Sequence, residues 1–233
     1  MAQLSGAIFD CDGTILDSMP MWNNAFAALC GRHGITCTRE LQEEVECLSL
    51  IQSCSLLHDR YSLEPTPEAL LDELHAWVRH EYAHNVREIP GAHEFLQALA
   101  DAGIPMIIAT STTSAVVREA LAVQGLDGYF QGVVCAAEVR DGRDKEYPDV
   151  YEEALSRLGT EKAETWVFED APFGVMTVRR AGFHVACVHN DHDGRPEDLL
   201  RSWADLFSEG YEGLSLEAIR SFDDANRGPV PEA

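Results

Sequence analysis

Four short clusters in this 233-residue chain carry residue types able to do chemistry together. The first is Asp10-Cys11-Asp12-Gly13-Thr14. Two carboxylates two positions apart can face one ligand if the turn is tight, and Gly13 permits that. One can then act as nucleophile and the other as general acid and base. The plain alternative is an acidic turn closed by glycine. The second cluster is Thr110-Ser111-Thr112-Thr113. Hydroxyls and free N–H groups at a helix start can hold phosphate oxygens, or they can simply cap the helix. The third is Lys145, within Asp144-Lys145-Glu146-Tyr147-Pro148-Asp149. A cation there can neutralise a transferring phosphoryl group, or it can lie solvated in a loop. The fourth is Glu169-Asp170. These are adjacent hard-oxygen donors of the kind Mg²⁺ takes, or an N-cap for a helix opening at Pro172.

The elements that must position these clusters alternate along the chain. Ala7-Ile8-Phe9 reads as a short buried strand ending at Asp10. From 16 to about 89 no convincing strand occurs. Trp22, Ala25, Phe26 and Leu29 follow helical spacing, as do Leu70, Leu74, Trp77 and Val78 after the Thr66-Pro67 cap. The pattern switches at Pro90-Gly91. A helix over 92–99 stops at Gly103, and a strand follows over 104–109. Next come a helix from about Thr112 to Val123, a strand over 132–135, and a helix marked by Val150, Tyr151, Ala154, Leu155 and Leu158. A strand over 166–168, a helix over 172–181 and a strand over 183–188 follow. A short strand near Leu206 and a helix near Leu216 close the pattern, with a frayed tail from Asp223. This alternation predicts an α/β fold, a Rossmann-like three-layer core around a parallel sheet. The core is discontinuous, 1–15 plus 90–233, with an all-helical domain, 16–89, inserted after the first strand. Each chemical cluster follows a predicted strand, where open α/β sheets collect their ligands.

Composition narrows the possible partners. The formal net charge is −23, which disfavours nucleic acid and anionic membrane surfaces, both held by Lys and Arg. Any phosphate site must therefore be locally positive, and the chain has only two lysines, Lys145 and Lys162. No apolar run is long enough to span a bilayer, and nothing at the N-terminus reads as a signal peptide; the expectation is a cytoplasmic protein, by default a monomer. Seven cysteines without CxxC spacing read as buried reduced thiols. The stretch His189-Asn190-Asp191-His192-Asp193 lacks metal-ligand spacing and reads as a solvated loop.

Taken in order, the four clusters resemble the four motifs of the haloacid dehalogenase superfamily. Phe168-Glu169-Asp170-Ala171, Gly174 and Ala181-Gly182 resemble the family's stretch around the fourth motif. The helical insert resembles the cap of the subfamily that contains small-molecule phosphatases and β-phosphoglucomutase. The resemblance implies that Asp10 forms an aspartyl-phosphate. It makes Asp12 the group that protonates the leaving oxygen and then helps activate water. It gives Thr110 and nearby N–H groups, Gly13, Ser111 and Thr112 among them, the task of holding the phosphoryl group, and Lys145 that of bridging nucleophile and phosphate. Mg²⁺ is implied at Asp10, the Asp12 carbonyl and Asp170, with Glu169 in support. The third motif departs from the family's Gly-Lys-Pro-x-Pro-Asp by losing the Gly and the first Pro, and it places an acid on each side of Lys145.

Within the family, Asp12 argues against dehalogenation, and the absence of lysine from 16–89 argues against a Schiff-base phosphonatase. The mutase uses a histidine soon after the first motif, where Trp22 stands in this chain. Trp22 is either a substrate-stacking residue at the mouth of the site or part of the helical core, with core favoured. Met19 and Asn23 are weaker mouth candidates, and Arg32, Arg60 and Arg79 could reach a second anionic group. The resulting expectation is a Mg²⁺-dependent phosphatase of a small, sugar-phosphate-like metabolite. The alternatives are a β-phosphoglucomutase-type mutase and a catalytically inactive phosphate-binding module.

Overall fold

A computed structural model of the chain describes residues 4–45, 48–190, 196–223, 225 and 227–231, the Asp141 side chain excepted. The chain splits into two compact units, Met1–Asp17 with Arg87–Ala233, and Ser18–Val86. The first begins with β1 (Gly6–Phe9). The second is four helices, α1 (Met19–Arg32), α2 (Arg39–Val45), α3 (Leu50–Tyr61) and α4 (Pro67–His84). The first unit resumes with α5 (Ala92–Asp101), β2 (Met106–Thr110), α6 (Ser114–Gln124) and β3 (Phe130–Cys135). It continues through α7 (Asp149–Leu158), β4 (Thr165–Glu169), α8 (Pro172–Arg180) and β5 (His184–His189). It closes with α9 (Glu197–Trp203), β6 (Leu206–Glu209) and α10 (Leu216–Arg220).

The six strands form one parallel sheet in the order β3-β2-β1-β4-β5-β6. The chain builds outward from β1 to β2 and β3, then returns to place β4 on the other side. The carboxyl ends of β1 and β4 therefore meet at a topological switch point, where such sheets open a crevice. Helices cover both faces, so the central strands are apolar throughout rather than alternating. One face packs Ile8, Ile107, Val134, Val167 and Val185 against Val150, Ala154, Val175 and Val178. On the other, Phe9 stacks on Phe168 with centroids 4.3 Å apart, and Phe95 meets both rings edge-on.

Several element ends differ from the sequence reading, each for a visible reason. Ile104 is not in β2, because its N–H donates to the Leu99 carbonyl in the cap that ends α5. Helix α6 starts at Ser114 rather than Thr112, because Thr113 takes a non-helical backbone (φ -50°, ψ 128°) and stands as the N-cap. Glu169 and His189 are the last residues of their strands, not loop residues beyond them. His189 is buried beside Phe207 instead of solvated; Asp191, His192 and Asp193 lie outside the described residues. The tail is not loose at Arg227 and Gly228. The Arg227 guanidinium donates to Asp205 and to the Phe183 carbonyl, and Arg179 donates to the Gly228 carbonyl.

The connectors at 15–17 and 87–89 run side by side. The Ile89 N–H donates to the Ile15 carbonyl and the Asp17 N–H to that of Arg87, both at 2.8 Å. That antiparallel pairing holds the connectors inside the first unit and puts the unit boundary at 17/18 and 86/87, two to three residues from the 15/16 and 89/90 read from the sequence pattern.

Candidate active site

Register delivers the first two acids. Phe9 pairs with Phe168 across β1 and β4, and the Asp10 N–H donates to the Phe168 carbonyl at 2.9 Å. The next residues, Asp10 and Glu169, emerge together from the two central strands. Asp170 follows, and Thr14 bridges: its hydroxyl lies 3.2 Å from Asp10 Oδ2 and 3.1 Å from Asp170 Oδ1. Gly13, at φ 85°, supplies the left-handed residue that turns Thr14 back over Asp10.

Lys145 is buried, and its Nζ donates to Asp10 Oδ1 and, at 2.7 Å, to Glu169 Oε1. The lysine arrives there despite the altered third motif. The Asp144 carboxylate accepts the Lys145 N–H at 2.7 Å and the Ser111 hydroxyl, which closes the loop without the missing Gly and Pro. The acid after the lysine, Glu146, is exposed, and its carbonyl accepts from Thr177.

Glu169 is fully committed. Oε1 accepts from Lys145 and from the Tyr151 hydroxyl at 2.8 Å; Oε2 accepts the N–H groups of Asp170 and Ala171 at 3.0 Å each. Gly174 leaves room for it, since a Cβ there would stand 2.5 Å from the Glu169 carboxylate. Burial drives the Asp10 carboxyl well above its ordinary range; Lys145 opposes that, and Glu169, Asp170 and Asp12 add to it. Burial alone would lower the Lys145 ammonium, but Asp10 and Glu169 outweigh it and hold the pKa above normal, so the lysine stays charged. Burial and Glu169 likewise keep Tyr151 protonated and donating.

The buried group comprises three carboxylates and one ammonium. Oxygens of Asp10, Glu169 and Asp170 all lie within 4.8 Å of one another. Three carboxyl groups around one ammonium leave a deficit of cationic side chains within the cluster, and burying carboxylates is costly without counter-charge. An all-oxygen donor set with that deficit fits a hard divalent cation.

Of the residues singled out from sequence, Asp10, Lys145, Glu169 and Asp170 come together. Thr110 is buried at the end of β2, with its hydroxyl oxygen accepting from Thr112. The Thr112 hydroxyl donates to Asp12 Oδ2 at 2.8 Å, and Ser111 is turned to Asp144. Trp22 belongs to the helical unit, where it is half-buried and its indole N–H donates to the Tyr82 hydroxyl at 3.2 Å. Arg60 pairs with Glu44.

The sequence matches the haloacid dehalogenase-like hydrolase family over residues 7–188. The chain belongs to that family. The phosphorylated carbohydrates phosphatase of Thermotoga maritima is 26% identical, over 82% of this chain and 89% of its own. Hexitol phosphatase A of Escherichia coli is 30% identical, over 81% and 84%. The crystal structure of β-phosphoglucomutase from Clostridium difficile superposes with a TM-score of 0.73, covering 94% of this chain and 96% of that one. At 17% identity that last likeness shows the fold alone.

Sequence reading missed the groups that brace this family site. Tyr151 was visible only as a core helix position, though a buried tyrosine needs a partner for its hydroxyl, and that was the available signal. The Tyr211 hydroxyl donates to the Thr14 carbonyl at 2.9 Å, and Asn190 donates to the Gly13 carbonyl. Nothing local marks either residue. Among the described residues no helix is long and apolar enough to cross a membrane.

Proposed function

We propose that this protein is a phosphoric monoester hydrolase acting on a small phosphorylated carbohydrate, with Asp10 as nucleophile and Asp12 as acid and base. The observation that carries this is the buried Lys145 held between Asp10 and Glu169 at the switch point of the sheet, beside Asp170 and Thr14. The activities named for the Thermotoga maritima and Escherichia coli relatives support the substrate class.

In the first half-reaction a lone pair on an Asp10 oxygen attacks phosphorus. The bond from phosphorus to the ester oxygen breaks, its electron pair stays on that oxygen, and the oxygen takes a proton from Asp12. The product is an aspartyl-phosphate. In the second half, water attacks that phosphorus and passes a proton to Asp12, and the Asp10 carboxylate departs as inorganic phosphate is freed. Asp12 returns to its starting state. Lys145 stays charged and offsets phosphoryl charge in a site shielded from bulk water. Asp10, the Asp12 carbonyl and Asp170 would hold a divalent cation, assigned as Mg²⁺ from the donor chemistry, with Glu169 fixing Lys145 and the turn after β4. When bound, that ion supplies positive charge that keeps Asp10 ionised and offsets the transferring phosphoryl group. We assign Ser18–Val86 the part of a helical cap domain, and a cytoplasmic monomer as the working form.

The test is a screen of hexose, hexitol and other sugar phosphates with Mg²⁺, read as free phosphate, beside Asp10→Asn. Phosphate release that disappears in the variant is the expected result. Isomerisation of glucose 1-phosphate to the 6-phosphate without net release would sink the hydrolase reading, as would turnover that survives in Asp10→Asn.

A further inference from the structure

The Thr112 hydroxyl is engaged by Asp12, 100 residues away, at 2.8 Å. That places it on the group that must carry a proton. Thr112 is itself held from both sides. Its N–H donates at 3.0 Å to the hydroxyl of Thr110, which is buried at the end of β2. Immediately after it, Thr113 caps α6, with its carbonyl accepting from Val116 and Val117. The hydroxyl is thus mounted on a strand end and a helix start rather than on a free loop.

We propose that Thr112 is the positioning residue for Asp12 and fixes its carboxyl where the ester oxygen leaves; this rests on the hydrolase reading given above. An aspartate side chain rotates about two bonds, and a proton donor outside hydrogen-bond reach of the leaving oxygen is of little use. A hydroxyl suits the task better than an amide or an ammonium. It donates to a carboxylate and accepts from a carboxylic acid, so it stays bonded as Asp12 gives and regains its proton. A threonine that held the phosphoryl group instead would serve every ester alike. One that holds the proton donor matters most when the leaving oxygen needs a proton.

That difference is measurable. An alkyl phosphate, such as a hexitol phosphate, expels a strongly basic oxygen and depends on the acid. p-Nitrophenyl phosphate expels a weakly basic phenolate and depends on it little. The value of kcat/KM covers all steps up to departure of that group. In Thr112→Val, nearly the same shape without the hydroxyl, kcat/KM for the alkyl ester should fall roughly 10- to 100-fold, since the acid is displaced rather than deleted. The loss on the nitrophenyl ester should be about tenfold smaller. Thr112→Ser should regain most of the alkyl-ester activity. Equal losses on both esters would overturn the proposal in favour of phosphate holding. A serine variant no better than valine, or no loss in valine, would overturn it too. Circular dichroism and the thermal midpoint check folding, and Thr112→Ala carries the same comparison if valine is not tolerated. Wild-type enzyme that cleaves neither ester would remove the hydrolase reading itself, and this inference with it.

Discussion

Gly174 lies in the first turn of α8, and a methyl group added there would meet the Glu169 carboxylate at 2.5 Å from Cδ and Oε1 and 2.8 Å from Oε2. Ordinary carbon contacts need about 3.5 Å or more, so the carboxylate would have to withdraw by about 1 Å. It has nowhere to go without loss, because its oxygens hold Lys145, Tyr151 and two backbone N–H groups at 2.7–3.0 Å. Overpacking alone costs about 1–3 kcal/mol, and each charge-assisted bond that breaks adds about 1.5–3 kcal/mol. Some strain is relieved by a shift of α8, so Gly174→Ala should destabilise the catalytic unit by about 2–4 kcal/mol. The sign is the sharp part. Glycine to alanine within a helix ordinarily stabilises by up to about 1 kcal/mol. Gly31, in α1 with no atom within 4 Å of its added Cβ, is the matched control and should be neutral or slightly stabilised. Urea unfolding of both variants, with the slope checked against wild type, gives the two differences. Activity should fall in Gly174→Ala as well, because Lys145 loses one of its two carboxylate guides. A Gly174→Ala protein as stable and active as Gly31→Ala would refute the view that Glu169 is locked in place.

Two further outcomes follow from buried ionisable groups, one in each unit. Mg²⁺ should raise the thermal midpoint of the catalytic unit, with about 2.7 kcal/mol of stabilisation at 100 times its Kd; Asp170→Asn should largely abolish the shift, which differential scanning calorimetry with and without EDTA would show. In the helical unit, burial, with Cys37 adding to it, pushes the Cys30 thiol up to about 12, and burial pushes Cys54 up to about 11, from an ordinary 9.0. The folded state therefore keeps protons that the unfolded chain releases, so this contribution to stability is whole below pH 9 and is lost as pH rises through 11 and 12. Urea midpoints should fall between pH 9 and 11, and a midpoint that rises over that range would contradict the burial of these thiols.

The order of elements was legible because it depends on local pattern. Short apolar runs such as Trp166-Val167-Phe168 and Ile107-Ile108-Ala109 fit strands buried on both faces, and their shortness and the helical patterns between them separate them from helices. The glycines at 103 and 159 stop helices by their own backbone freedom. Acidic and hydroxyl clusters stood just beyond such runs, and Lys145 lay in the loop between β3 and α7, so the chemistry on offer could be read with them. Partnership could not. Whether Thr112 faces phosphate or Asp12, whether Asp144 weakens Lys145 or seats it, and whether His189 is solvated or buried depend on positions set by sheet register and helix packing. Two of the four donors to Glu169, Lys145 and Tyr151, come from 24 and 18 residues away, and Tyr211 reaches Thr14 across 197. A hydrogen bond fails within a fraction of an ångström, and no local spacing encodes distances that fine. The sequence therefore determined which groups stand at the strand ends. Only the packed tertiary structure decided which of them touch, because contact depends on how distant segments are held against one another.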